Sequence, residues 1–419
     1  MDVVFVPGGM RFSAHVDAGV ERALRAARHS VRTLCRECLA TVGQGALADV
    51  KADLLLTVHG RRFPHALLKG ARGIRAKAVW LLDEPQEVDL SERYSRHFDV
   101  VFSNDRNTCG VHGPHKTWYL PLAADPSIHL PVGGSQRRDA SAAGLSPLPA
   151  DGEAVSCFLA GEPYRLPSPH GSDAPGVLRR LGRALRLGAS ALESVSEEQL
   201  CDVAFVGGIL PERANLLDQA YHLGGDLSWR VVGPDRWHQP VSFRLVWDNG
   251  TVSHQEYVGA VRSARILLDI PRDETLSFAG RTNRRGIPAT GVGCRPFEVT
   301  ACGRFLLTDD SRADIFTFFP PGSVGIYRAA DAADLAAQVR YWLDHEEERE
   351  ERAALARAHC LREHTYAVRV RQLVDVVEAW LDTRLPRKAS SPRPSLLRPL
   401  RAGSAGRAAR PPRSEGPKK

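Results

Sequence analysis

Short apolar runs recur through the first part of the chain at 3–6 (VVFV), 54–58 (LLLTV), 78–82 (AVWLL) and 100–103 (VVFS). None alternates with polar residues, which is the pattern of strands buried on both faces of a parallel sheet and covered by helices. Between the first two runs, Val16, Val20, Leu24 and Ala27 recur near a 3.6-residue period and predict a helix over 13–29. The alternation resumes later: strands are predicted at 203–206, 229–232, 266–270 and 305–308, with helices over 211–222 and 254–262. An amphipathic helix over 331–344, a strongly charged one over 346–362 and a last one over 366–381 complete the folded part. The chain is therefore read as α/β, with one Rossmann-like domain over 1–131 and a second over 201–383. Between them, 132–200 shifts to Gly, Ser, Pro, Ala and Arg, with a helical pattern only over 177–192, and reads as an inserted, mobile linker.

A length of 419 residues with 43% hydrophobic content suits two domains plus a tail. The net charge of +7 invites a nucleic-acid reading, which the distribution removes. From residue 384 onward eleven Lys or Arg face one acid, so the tail carries +10 and the rest of the chain −3. Such a Pro/Ser/Arg-rich tail over 384–419 reads as disordered; it could touch anionic surfaces, and a solubilising extension is the simpler role. No apolar run nears the ~20 residues that span a bilayer. The opening MDVVFVPGG reads as a first strand and not as a signal peptide, so a cytoplasmic location is expected. Cys35 and Cys38 form a lone C-x-x-C without further donors, and no metal site or cofactor is expected from it.

The richest stretch is CRPFEVTACGRFLLT from Cys294 to Thr308. Gly291 and Gly293 make a loop that allows close approach, and Pro296 suits the first turn of a short helix ending near Gly303. The free N–H groups of that helix, together with Arg295, favour an anion such as a diphosphate. Glu298, one turn further in, is placed to accept hydrogen bonds from a ribose diol, with Phe297 beside it.

These residues resemble the CgeB-type spore-maturation glycosyltransferases, of the group 1-like glycosyltransferases with GT-B fold. The similarity rests on CDVAFVGG, RPFEVTACGRFLLTDD, VGIYRAADAADLAAQVRYWLDHEEER and REHTYAVRV, and more loosely on AVWLLDEPQEV, FDVVFSND and YLPLAADP. It implies two Rossmann-like domains facing each other across a cleft, a last helix crossing back to the first, and transfer of a sugar from a nucleotide-sugar bound mainly by the C-terminal domain. The wider retaining group often carries two glutamates seven residues apart; here Thr290 takes the first place and only Glu298 remains.

Ligands of open parallel sheets bind beyond the carboxyl ends of the strands. In the first domain that rule selects Gly8 and Gly9, His59 and Gly60, Asp83, Asn104 and Asp105. His59 and Asp83 are the catalytic candidates, since a sugar hydroxyl needs a base for inverting transfer; the glycines, Asn104 and Asp105 would serve the acceptor side. On the donor side the candidates are Glu298, Arg295, Gly293, Phe297, Gly207, Gly208 and Arg284. Arg272, Arg281, Arg284, Arg285 and Arg295 crowd the loop after 266–270, so guanidinium groups in place of a metal would neutralise the leaving diphosphate. The leading expectation is a metal-independent glycosyltransferase acting on a glycan, protein or small-molecule acceptor; a nucleotide-sugar epimerase and a non-catalytic nucleotide-sugar-binding assembly factor are the alternatives.

Overall fold

The computed structural model describes residues 1–9, 14–131, 157–159, 162–164, 200–235, 238, 240–250, 253–277 and 279–384. The predicted linker over 132–200 and the basic tail over 384–419 thus lie almost wholly outside the described residues. Two six-stranded sheets, parallel throughout, carry the chain. In the first, β1 (Asp2–Val6), β2 (Ser30–Thr33), β3 (Ala52–Val58), β4 (Ile74–Leu81), β5 (Val100–Ser103) and β6 (Thr117–Tyr119) lie in the order β2-β1-β3-β4-β5-β6. A short antiparallel hairpin, β7 (Cys157–Leu159) with β8 (Glu162–Tyr164), follows. The second sheet comprises β9 (Cys201–Val206), β10 (Trp229–Val232), β11 (Trp247–Asp248), β12 (Ala264–Asp269), β13 (Phe305–Asp309) and β14 (Gly325–Tyr327), in the order β11-β10-β9-β12-β13-β14.

The predicted strands are the sheet centres, and residues such as Val4, Leu55, Val79, Ala204 and Leu267 are wholly buried there. The edges β2, β6, β11 and β14 were not predicted: SVRT and TWY are too polar or too short to show a run. Strand β4 also begins earlier than the apolar run, because Arg75 and Lys77 turn outward in its first half while Ile74 and Ala76 turn in. Helix α1 (Ala14–Ala26) buries the predicted stripe of Val16, Val20 and Leu24. It stops short of His29, where Arg28 takes a left-handed φ of +62°. Helices α2 (Arg36–Val42) and α3 (Val88–Ser95) complete the first unit; α4 (Pro211–Leu223), α5 (His254–Arg262), α6 (Arg295–Ala301), α7 (Ile315–Phe318), α8 (Ala332–Asp344) and α9 (Glu346–Glu363) surround the second.

The last helix, α10 (Tyr366–Arg384), packs on α1 and β4 of the first unit. Its entry is fixed by a parallel bridge, with the Ala124 N–H donating to the His364 carbonyl at 2.9 Å and the Tyr366 N–H to the Ala124 carbonyl at 3.1 Å. The Arg369 Nε–H donates to the Pro121 carbonyl at 3.0 Å. Tyr366 lies edge-on to Trp80 and so close to Gly19 that a Cβ there would meet its ring at 2.5 Å. One apolar cluster consequently runs from β1, β3 and β4 through α10 to Phe297 and Val299. Strand order reverses at β1/β3 in one sheet and at β9/β12 in the other, and the crevices outside those strand ends are where such sheets take ligands.

Truncating Tyr366 to Ala is expected to lower the unfolding free energy by roughly 3 kcal/mol through the cavity left between the units. Among the described residues its hydroxyl has no hydrogen-bond partner, so Tyr366→Phe is expected to be nearly neutral. Urea unfolding of both variants checks this, and equal losses would contradict it.

Candidate active site

At the end of β3 the backbone turns sharply: His59 has φ +62° and Gly60 φ +74°. A left-handed histidine is costly, and such strain persists where surrounding contacts impose it. Here the His59 N–H donates to the Trp80 carbonyl at 2.6 Å and the Tyr94 hydroxyl to the His59 carbonyl at 2.9 Å. The turn delivers the buried His59 imidazole to Asp83, at the end of β4, with Nε2 2.8 Å from Oδ2. The other Asp83 oxygen accepts from Arg272 of the second domain at 2.6 Å. Glu87 stands 4.0 Å from His59 Nε2 and pairs with Arg61 at 3.2 Å.

Burial disfavours charge on His59, but the Asp83 hydrogen bond and the charges of Asp83 and Glu87 outweigh it, so its pKa is raised above 6.5. Burial likewise opposes ionisation of Asp83, yet Arg272 and His59 hold its carboxyl well below the usual range. The result is a carboxylate–imidazole dyad with a guanidinium from the facing domain on its outer side.

Described residues of the segment 271–293 form a large part of the contact between the domains. Asp105 Oδ2 accepts from the amides of Thr290 at 2.7 Å and Gly291 at 2.8 Å. Glycine is required at 291, because a Cβ would lie 2.3 Å from the Asn104 carbonyl. Asn104 is engaged as well, its Oδ1 accepting from the Glu84 amide at 3.0 Å. Arg284 pairs with Asp89 and Arg285 with Glu92, beside Arg93, Arg96 and Lys116 in a polar groove of about 500 Å³.

Behind that loop three guanidinium groups converge on the β9/β12 crevice. Arg295, from the start of α6, donates to the Val206 carbonyl at 2.8 Å and to Asp269 Oδ1 at 2.5 Å, lying over the Phe205 ring. Gly207 makes room for it, since a Cβ there would meet the guanidinium at 2.2 Å. Arg213, from the first turn of α4, donates to the Ile270 carbonyl at 2.8 Å and the Gly208 carbonyl at 3.0 Å. Burial, then the like charges of Arg295 and Arg272, lower the Arg213 pKa to about 9. Among the described residues, Asp269 and Asp83 are the carboxylates in ion-pair contact with these three guanidinium groups, so cations outnumber their direct partners there.

Glu298 lies in α6 and is buried among residues from both domains. His15 of α1 brings Nε2 to 2.7 Å from Glu298 Oε1, and His129 Nε2 stands 3.9 Å away. His254 stacks on His15 with ring centroids 4.3 Å apart and on Tyr257 at 5.5 Å. Burial opposes the Glu298 charge, but His15 first and the other histidines after it keep the carboxyl far below its usual range.

Of the other predicted residues, Gly8 and Gly9 donate their amides to the Asp17 carboxylate at 2.9 and 3.2 Å. Gly60 fits beneath Val79 and Tyr94. Phe297 is wholly buried against Phe318, Phe319 and His364, and space around Gly293 is open. Sequence reading brought His59, Asp83, Arg272 and Arg295 into view but missed Arg213, His15, His129 and His254. Arg213 could have been found, because a cation three residues after Leu210 falls in the first turn of the helix that follows Gly207-Gly208. The histidines carry no such signal, lying 239 positions apart at the extremes, His15 and His254.

Residues 213–375 match a family described as glycosyl transferase-like. Among solved structures, the Arabidopsis thaliana starch synthase IV catalytic domain bound to ADP and acarbose is similar with a TM-score of 0.56 and 10% identity, over 91% of this chain and 99% of that one. HepE from Anabaena in complex with UDP gives 0.52 and 10%, over 90% and 100%, and sucrose-phosphate synthase from Thermosynechococcus elongatus 0.52 and 10%, over 91% and 100%. The fold is therefore the two-domain α/β arrangement of GT-B glycosyltransferases. No curated protein matches the sequence. Among the described residues, no helix is long and apolar enough to cross a membrane.

Arg295 and Asp269 form a buried pair, so removing one partner strands the other charge. Arg295→Ala and Asp269→Ala are each expected to cost about 3 kcal/mol or more of stability. The double variant is expected to lose clearly less than the sum in denaturant titrations; strict additivity would show that the pair is not coupled.

Proposed function

We propose that the protein is a glycosyltransferase that moves a sugar from a nucleoside-diphosphate-sugar to an acceptor hydroxyl. The carrying observation is the meeting of opposite halves of such a reaction: a cation-rich crevice on the second domain opens, through the Arg272–Asp83 contact of 2.6 Å, onto a His59–Asp83 dyad on the first. Arg213, Arg272 and Arg295 would take the diphosphate, whose negative charge relieves their mutual repulsion and neutralises the leaving group without a metal. Glu298 would accept from the ribose diol. The acceptor hydroxyl would lie at His59, which takes its proton as the new glycosidic bond forms, while Asp83 holds the imidazole and stabilises its charged form. Support for the donor comes from similarity to HepE, whose solved complex holds UDP, and to starch synthase IV, whose complex holds ADP.

Calorimetric titration with a panel of nucleoside diphosphates and nucleotide-sugars is expected to show binding with a preference for one base. Glu298→Gln is expected to weaken that binding by about 1–3 kcal/mol, the worth of hydrogen bonds to a charged group. Unchanged affinity would remove Glu298 from the donor site.

A general base contributes about 10²–10⁴-fold, so His59→Ala is expected to lower kcat by that range with a donor and acceptor that turn over. His59 must be neutral to accept a proton, and its pKa is raised, so kcat/KM should rise with pH along a limb above 6.5. Asp83→Asn removes the group that raises it, moving the limb to lower pH while slowing the reaction. A limb that stays in place would exclude His59 as the titrating base.

A further inference from the structure

Two clusters of metal-ligating side chains occur among the described residues: His59 with Asp83 and Glu87, and His15 with Cys294 and Glu298. Their surroundings differ in charge. Asp83 and Glu87 already hold Arg272 and Arg61, so a dication there would meet two guanidinium groups. Among the described residues the ion-pair contacts of Glu298 are with His15 and His129, both imidazoles.

The second cluster also has the form of a ligand set. One ligand atom each from His15, Cys294 and Glu298 lies within 4.8 Å of the others. His15 Nε2 approaches the buried Glu298 Oε1 to 2.7 Å, and Cys294 also reaches that carboxylate. Nitrogen, sulfur and oxygen donors from three side chains thus meet at one mostly buried centre. His129 is not part of the set. Its Nδ1 accepts from the Asp125 amide at 2.9 Å, so the neutral ring carries its proton on Nε2, toward Glu298, where it supports the carboxylate. His254 stacks flat on His15 and restricts that ring.

We propose that His15 Nε2, Cys294 Sγ and the Glu298 carboxylate bind a transition-metal ion of the Zn²⁺ class, and that this ion and the nucleotide donor exclude each other because both use Glu298. One nitrogen, one sulfur and one oxygen ligand suit zinc, with a fourth position left for water. On binding, the Cys294 thiol loses its proton to solvent and the thiolate joins the metal. His15 comes from the first domain and Cys294 and Glu298 from the second, so the ion would also pin the domains together. The exclusion rests on the donor reading above; the metal site does not.

The test uses full-length protein stripped with EDTA and titrated with Co²⁺. One equivalent is expected to bind with a thiolate-to-cobalt charge-transfer band, which Zn²⁺ abolishes by displacement. Cys294→Ser should lose the band, His15→Ala should weaken Co²⁺ binding at least tenfold while keeping the thiol, and Cys109→Ser should keep the band. Absence of the band in the parent protein, or its persistence in Cys294→Ser, would overturn the site; matching circular dichroism of the variants guards against misfolding. Addition of the nucleoside diphosphate that binds best to metal-free protein should then erase the band. Nucleotide and cobalt binding together would overturn the exclusion, and failure of any nucleotide to bind metal-free protein would overturn the donor reading and the exclusion, leaving the band to decide the metal site.

Discussion

The contact between Arg272 and Asp83 joins the two halves of the molecule at the point where their chemistry meets. A parallel sheet gathers its loops at one end, and two such sheets turned toward each other bring a dense set of polar groups into a space with little water. Charges in that setting must be matched within short distances or displaced. Arg272 satisfies Asp83, Asp83 orders His59, and the remaining cations lean on Asp269 and on the carbonyls of Val206, Gly208 and Ile270.

Around that contact the structure spends most of its interdomain hydrogen bonds on a single loop. Asp105 grips two amides of the 271–293 segment, Thr282 donates to the Gln86 carbonyl at 2.7 Å, and the Asp89 amide donates back to the Thr282 carbonyl at 2.9 Å. Away from that loop α10 joins the domains mainly by apolar packing, with the Ala124 bridge and Arg369 fixing its entry. Polar clamps exchange partners with water at small net cost, whereas apolar burial does not, so an opening motion is expected to release the loop and keep the α10 contact.

The two acidic centres of the site differ for a physical reason. Asp83 is balanced by a guanidinium, a charge that persists at any pH, so its own charge does not depend on the protonation state of its neighbour His59. Glu298 is balanced by imidazoles, whose charge is conditional. The first arrangement is the one the proposed proton transfer uses, and the second suits a partner that brings its own positive charge or its own hydrogen-bond donors. A carboxylate with such partial compensation is able to serve a ribose diol or a metal ion.

Much of this was decided locally. Apolar runs without alternation define strands at the centre of a parallel sheet wherever they occur, and the strand-end position of His59, Asp83 and Gly207 follows from where those runs stop. Cys294 to Gly303 likewise shows its helix, its proline and its glycine within ten residues. Periodicity and composition act over a few residues, and these features need no more. The edge strands, the burial of Phe297, the commitment of Arg295 to Asp269 and the assembly of His15, His129 and His254 around Glu298 depended on which distant segments came together. Those outcomes turn on pairwise distances between elements far apart in the chain, and only the packing of one sheet's loops against the other's supplies them.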